Sequence, residues 1–454
     1  MKEFKIKEQT MSLEHTRHWK RNVIMMVLSQ ILVMSGFCAA MPFVPLYLKE
    51  GLGIVNEGER GLYLSFFTFA GMLAYGVFNP IWGGLSDRFG VKPMLLRGTF
   101  LTAFFFPMMA YVSNVWWLIA LRFITAACAG TTVASQTLLV KNTPEDKQGF
   151  ALGMLTTAYW SGIMLGNVLG GLVVSYYGYT NTFWFCGILY FLAGIFVLFA
   201  KDDYIPLKDV PKAASEPKRK KSNSVLRTLL PVFTVGVWRL MVLTILTGIA
   251  FSFATPYAPI LVEQIVGLRT AAFWTGIISA AAAVGSIASG AITGYLSDRV
   301  KPLPLLVPIL ILTGIFLFIQ GLSPDLFSEP EVQMAFFGKT CTVNLNLLTL
   351  GACRVFILFV IGGSGAVFMK MMSNLTPKRK RGAVFGYRST AHHIGAMAAS
   401  GAAGGLVYIC EDVRSVFFCG AALTLLLVPL TVWIVRYIED QPFYKAHALF
   451  GGKK

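Results

Sequence analysis

Twelve apolar runs, each close to the length that an α-helix needs to cross a bilayer, leave this 454-residue chain few folds to choose from. They fall at roughly 22–48, 61–84, 93–112, 115–140, 149–174, 181–200, 237–263, 271–296, 303–322, 346–372, 384–409 and 414–437. A composition 55% hydrophobic and 13% charged, with a mean hydropathy of +0.64, excludes a soluble globule of this size. The expectation is an all-α integral membrane protein of twelve transmembrane helices.

The runs repeat. Ala40-Met41-Pro42-Phe43-Val44-Pro45 ends span 1, and Ala254-Thr255-Pro256-Tyr257-Ala258-Pro259 ends span 7. Leu118 precedes Arg122 in span 4 as Leu350 precedes Arg354 in span 10. Thr143-Pro144 with Gly149 and Gly153 returns as Thr376-Pro377 with Gly382 and Gly386, and Phe185-Cys186-Gly187 as Phe418-Cys419-Gly420. A charged, glycine-rich turn, Gly83-Gly84-Leu85-Ser86-Asp87-Arg88-Phe89-Gly90-Val91-Lys92-Pro93, follows span 2. Its shortened copy, Gly294-Tyr295-Leu296-Ser297-Asp298-Arg299-Val300-Lys301-Pro302, follows span 8. Anchors in unchanged order imply two pseudo-twofold-related six-helix bundles of the same orientation, at 22–200 and 237–437. A polar tail (1–21), a linker rich in Lys, Pro and Ser (201–236) and a second tail (438–454) complete the expected layout. An insertion near Ser323 to Asn344 has no counterpart in the first copy.

The formal charge of +17 would suggest nucleic acid in a soluble protein, but its placement reads as topology. With a cytoplasmic N-terminus, the outer loops hold only Lys49, Arg60, Arg269, Lys339 and Arg414. The inner loops take most of the rest, including Lys218 to Lys221 and Lys378 to Arg381. Both termini are therefore expected in the cytoplasm, with the lipid bilayer and its headgroups, and no nucleic acid, as partners. No small-residue cleavage site follows the first run, so it is expected to remain as an anchor. Cys341 and Cys410 both fall on the outer side, where a disulfide between them is one option; no Cys/His spacing suggests a metal site, and no cofactor is expected.

Two parallel six-helix halves with a charged turn after span 2 and a degenerate copy after span 8 resemble the major facilitator superfamily. Gly83, Asp87, Arg88, Gly90 and Lys92 match its most recognisable motif, and Arg122 its buried span 4 arginine. Gly162, Gly166, Gly170 and Gly171 keep the span 5 glycine ladder typical of its proton-coupled antiporters, with Asn167 where those proteins usually have proline. Trp19-Lys20-Arg21-Asn22, Pro42 with Pro45, and Ala151-Leu152-Gly153 are most similar to the bacterial multidrug:proton antiporter branch of the inner membrane. The resemblance implies alternating access and a gating role for the span 5 glycines.

In the turns, Asp87 is positioned to meet the positive N-terminal end of span 11, and Asp298 that of span 5, as gate contacts in which Gly294 and Arg299 take part. Ionisable groups deep in a membrane mark function by default. Arg122, Arg354, Arg388, His392 and His393 lie deepest; with Tyr159 and Trp160 they are the candidate substrate-binding or coupling residues. Arg388 and His392 share one helix face, and the repeat sets Tyr159 at the position of His392. For Arg122 and Arg354 the alternative is a structural one, hydrogen bonding to backbone carbonyls between helices. All 22 Asp and Glu residues fall in loops, tails or span ends, with Glu263 nearest to an exception. A coupled proton would therefore ride on His392 or His393, since imidazole titrates near neutrality.

The leading expectation is proton-coupled efflux of hydrophobic or amphipathic small molecules by a monomer. The alternative is a transporter of organic anions that uses a basic central cavity. A membrane enzyme is set aside, because no His/Asp or Ser/His constellation recurs at a membrane face.

Overall fold

The computed structural model describes residues 18–144, 147–202, 235–336, 339–376 and 381–440; most of each tail and of the linker lies outside the described residues. So do the side-chain positions of Gly83, Asp87, Arg88, Gly294 and Asp298, although the backbone there is described. Among the described residues, twelve helical spans are long and apolar enough to cross a membrane.

In chain order the helices are α1 (Trp19–Ala40), α2 (Val44–Glu50), α3 (Glu57–Phe89), α4 (Val91–Met108), α5 (Val115–Cys128), α6 (Thr131–Asn142), α7 (Gln148–Tyr177) and α8 (Tyr179–Phe199). They continue with α9 (Val235–Ser252), α10 (Ala258–Val266), α11 (Leu268–Arg299), α12 (Pro302–Leu322), α13 (Leu345–Gly362), α14 (Ser364–Leu375), α15 (Arg381–Cys410) and α16 (Arg414–Glu439). Helices dominate because lipid offers no partner to a free backbone group. The departure from an all-helical chain lies in the insertion, where β1 (Glu331–Phe336) pairs antiparallel with β2 (Lys339–Asn344) in the register Glu331 to Asn344.

The repetition is visible in the way spans break. Span 1 passes from α1 to α2 through a 3-10 turn at Met41–Phe43, and span 7 from α9 to α10 through one at Thr255–Tyr257. In both, proline withholds a backbone donor and loosens the helix. Span 4 breaks between α5 and α6, where Gly130 takes φ +99, a conformation in which a side chain would be strained. Span 10 breaks at the matching place between α13 and α14. Glycines at equivalent positions also make equivalent contacts: a Cβ on Gly162 would lie 2.6 Å from the Ile31 carbonyl oxygen, and one on Gly395 2.2 Å from that of Ile245.

The charged turns are shorter than their sequence suggests. Helix α3 continues through Phe89 and α11 through Arg299, so the motif glycines Gly83, Gly84 and Gly294 are helical. The reversal after span 2 is concentrated at Gly90, with φ +94. After span 8 it runs through Val300 and Lys301, with Pro302 opening α12, where its missing N–H costs nothing. The reason is lipid: continued helix satisfies more backbone than an open turn, and glycine only lowers propensity without forbidding it.

Contacts divide the chain into two compact units, one within Met1–Phe43 and Leu73–Lys218, the other within Val44–Met72 and Arg219–Lys454. The first has a core of Val23, Met26, Val91, Leu95, Leu138, Leu139, Leu155 and Val197. The second has its counterpart in Val237, Leu240, Met241, Leu306, Phe368, Met371, Ile434 and Val435. Residues 44–72, the second part of span 1 and the first part of span 2, thus belong by contact to the second unit.

Candidate functional site

In the first unit Asn114 starts α5 by accepting the Trp116 N–H at 2.9 Å, and two turns in, Arg122 is buried at 5% exposure. Its guanidinium carbon lies 5.3 Å from the Phe37 ring and 5.6 Å from the Tyr75 ring, distances at which an aromatic face attracts a cation. Tyr159 and Trp160, half-buried on α7, meet edge to face at 5.5 Å.

The glycine ladder of α7 seats on α1. Cβ atoms on Gly166 and Gly170 would stand 2.5 Å and 2.3 Å from the carbonyl oxygens of Ser35 and Ala39, so neither position admits a side chain without moving backbone. Ser35 donates to the Gly162 carbonyl at 3.1 Å, and Gly171 is buried on the same helix. Asn167, where the resembling antiporters have proline, is buried within the helix, and its Oδ1 has no partner among the described residues.

Of the motif after span 2, Gly90 and Lys92 are described in full. Asp202, just past span 6, accepts the Val91 and Lys92 N–H groups at 3.0 Å each, which satisfies donors left open at the start of α4. The Lys92 amine returns the contact by donating to the Leu198 carbonyl at 2.8 Å. In the second unit Arg299 lies 4.2 Å over the Tyr295 ring, and Lys370 donates to the Ser297 carbonyl. The Asp87 and Asp298 side chains lie outside the described residues.

Arg354 on α13 is buried, and its Nη2 donates to the Thr255 carbonyl at 3.3 Å, inside the break of span 7. The broken helix leaves carbonyls without an i+4 donor, and the guanidinium supplies one. Arg388 on α15 is partly buried, with an Nε lacking a partner among the described residues. One turn on, His392 faces span 7: its Nδ1 stands 3.2 Å from where a Gly248 Cβ would sit. The adjacent His393 ring is 6.0 Å away and tilted by 59°, with its own Nδ1 buried and unpartnered among the described residues. Arg388, His392 and His393 thus come together on one helix, while Arg354 is tied to backbone.

Several polar contacts involve residues that the sequence pattern does not single out. Arg97 stacks 3.4 Å from the Trp82 ring while donating to the Ala129 carbonyl at 3.3 Å, and Arg239 stacks 3.5 Å from Tyr437. Arg60 and Lys49, counted as outer-loop charges, both bind Glu263, at 2.6 Å and 2.5 Å. A warning was present in the sequence: charges are scarce on that side, so each is worth pairing. Cys410 is a free, exposed thiol, and the side chain of Cys341, the other half of the disulfide option, lies outside the described residues.

A family model for the Major Facilitator Superfamily matches residues 26–338. A multi-drug resistance efflux pump PmrA homolog of Lactococcus lactis is 28% identical over 389 residues, covering 85% of this chain and 88% of the relative. A multidrug resistance protein MdtG of a Rahnella species is 27% identical over 423 residues, covering 92% and 94%. Among solved structures, that of the POT family transporter PepTSo superposes with a TM-score of 0.72 at 13% identity, over 93% of this chain and 99% of that one, a likeness of fold.

Proposed function

The chain belongs to the Major Facilitator Superfamily, and from that premise we propose that it exports hydrophobic or amphipathic small molecules across the inner membrane by alternating access, in exchange for protons. The observation that carries this reading is the match to two relatives named for multidrug resistance, which runs through both halves of the chain. The rings of Phe37 and Tyr75 beside Arg122, and the separate Tyr159–Trp160 pair on α7, support it, since rings accept flat apolar compounds with little demand for directional bonds. Arg122, Tyr159 and Trp160 are the substrate-binding or coupling residues of the first unit, and Arg388, His392 and His393 those of the second. Arg354 holds the span 7 break. The turns at Gly83 to Lys92 and at Gly294 to Arg299 act as gates, and the two six-helix bundles work as a monomer with both termini in the cytoplasm.

A second reading is favoured by one observation: the deep charges among the described residues are basic, and the buried acid Glu263 already holds two cations. That arrangement suits an organic anion better than a cation. Purified protein in liposomes, given an imposed pH gradient and offered one lipophilic cation and one organic anion, separates the two. Accumulation of the cation against its gradient supports the multidrug reading, accumulation of the anion alone replaces it, and movement of neither overturns both.

A further inference from the structure

Alternating access requires the two ends of a transport path to open in turn. Any contact that fastens one end has to break and re-form once per cycle. The ends of spans 1, 2 and 7 that the charge asymmetry assigns to the outside carry such a contact.

Glu263 on α10 is 6% exposed, and each of its carboxylate oxygens takes a different cation. Lys49, from the last turn of α2, reaches Oε1 at 2.5 Å, and Arg60, from the first turn of α3, reaches Oε2 at 2.6 Å. Arg60 is 1% exposed and lies 3.7 Å from Glu57 through its other amine; Glu57 in turn accepts from Gln264 at 2.9 Å. The set holds two positive and two negative side chains, so its charges balance. Nearby, Arg269 is exposed, and Asp325 is engaged by Arg414 at 2.5 Å, which leaves both outside the set.

Beside the charges runs a seam of small residues between spans 2 and 11. Ser400 donates to the Ser65 carbonyl at 2.8 Å, Tyr257 donates to the Gly61 carbonyl at 3.2 Å, and Cβ atoms on Gly61 and Gly404 would overlap Val407 and Ser65. The seam is closely packed but offers little apolar side-chain area to hold it shut. A buried ion pair behaves differently: dry and complete it is stable, and removing one partner leaves the other buried and uncompensated. Intermediate separations gain neither full pairing nor full hydration, which gives the contact two well-separated states.

We propose that Glu263, gripped by Arg60 and Lys49, is the fastener of the outer gate, holding the ends of spans 1 and 2 on span 7 and releasing them when that face opens. The proposal rests on the transport reading only in that the protein alternates; it makes no use of the substrate.

Purified protein in nanodiscs tests it, in a background with Cys341 and Cys410 replaced by Ser. Gly58→Cys and Tyr408→Cys report closure between spans 2 and 11, since a Cβ on Gly58 lies 3.4 Å from the Tyr408 Cα. Ser65→Cys, at a position 2% exposed, reports opening through maleimide labelling. With Glu263→Gln the expected result is a severalfold slower oxidative cross-link and severalfold faster labelling. Lys49→Gln, at a partly exposed position, is expected to move both in the same direction by less, and it carries the test if Glu263→Gln does not fold. Unchanged cross-linking and labelling in the folded variants overturn the proposal. Neither readout needs a substrate, so failure of drug transport in liposomes leaves the gate standing, and an unmoved gate leaves the transport reading standing.

Discussion

Arg122 and Arg354 occupy the same place in the two repeats and meet different neighbours. The first lies among the rings of Phe37 and Tyr75; the second donates to the Thr255 carbonyl in the break of span 7. At another equivalent pair, Tyr159 stands in the first repeat where His392 stands in the second. Gly162 and Gly395, by contrast, press on the same carbonyl of the same turn, that of Ile31 or Ile245. At Gly162 and Gly395 the duplication has kept a contact with backbone, while the side chains at Tyr159 and His392 have diverged. Backbone contacts admit no substitute once two helices touch, whereas a polar side chain at a span centre needs only some partner.

The pair Tyr159 and His392 gives the largest expected effect. His392→Gln is expected to abolish transport driven by a pH gradient while downhill exchange continues, and His393→Gln to cost far less; Tyr159→Phe should leave gradient-driven transport in place. Uphill transport surviving the double histidine replacement would remove imidazole as the proton carrier and turn attention to Asp87 or Glu263.

Next comes the arginine pair. Arg122→Met is expected to lower transport by about tenfold or more, because it removes the buried cation proposed to meet substrate. Arg354→Met should act through stability, because a carbonyl deprived of its donor costs about 1–3 kcal/mol, read as a lower melting temperature in detergent. Equal loss of stability in both variants would erase the contrast between them.

The turns should differ in the same sense but by less. Asp87→Asn is expected to reduce transport severalfold with expression near normal, and Asp298→Asn to reduce it less, since the second turn lacks the two residues around Gly90. Equal effects would mean that the turns are interchangeable, and no effect at Asp87 would remove it from the gate.

The smallest difference concerns the ladder. Gly170→Ala sets a Cβ 2.3 Å from the Ala39 carbonyl, an overpacking that costs about 1–3 kcal/mol. Its counterpart Ala403→Gly merely loosens a helix, at about 0.5–1 kcal/mol. Thermal unfolding of the two variants measures the gap directly, and a tolerated Gly170→Ala would show that α1 and α7 yield at this point.

The sequence by itself determined the twelve spans and the duplication, because each follows from local quantities: run length and the order of anchors. It also identified Arg122, Arg354, Arg388, His392 and His393 as deep, since depth can be counted from a loop. It did not determine where α3 and α11 end, because a glycine-rich charged stretch suits a turn and a helix end alike, and lipid decides for the helix. Only the tertiary structure separated Arg122 from Arg354, whose neighbours come from spans 1 and 2 in one case and span 7 in the other. It alone brought Arg60 and Lys49 to Glu263, residues more than two hundred positions apart in sequence for the two ion pairs. Counting from a loop makes all three look like solvated charges at span ends, and burial is a property of what packs around a side chain, which no single run of residues contains.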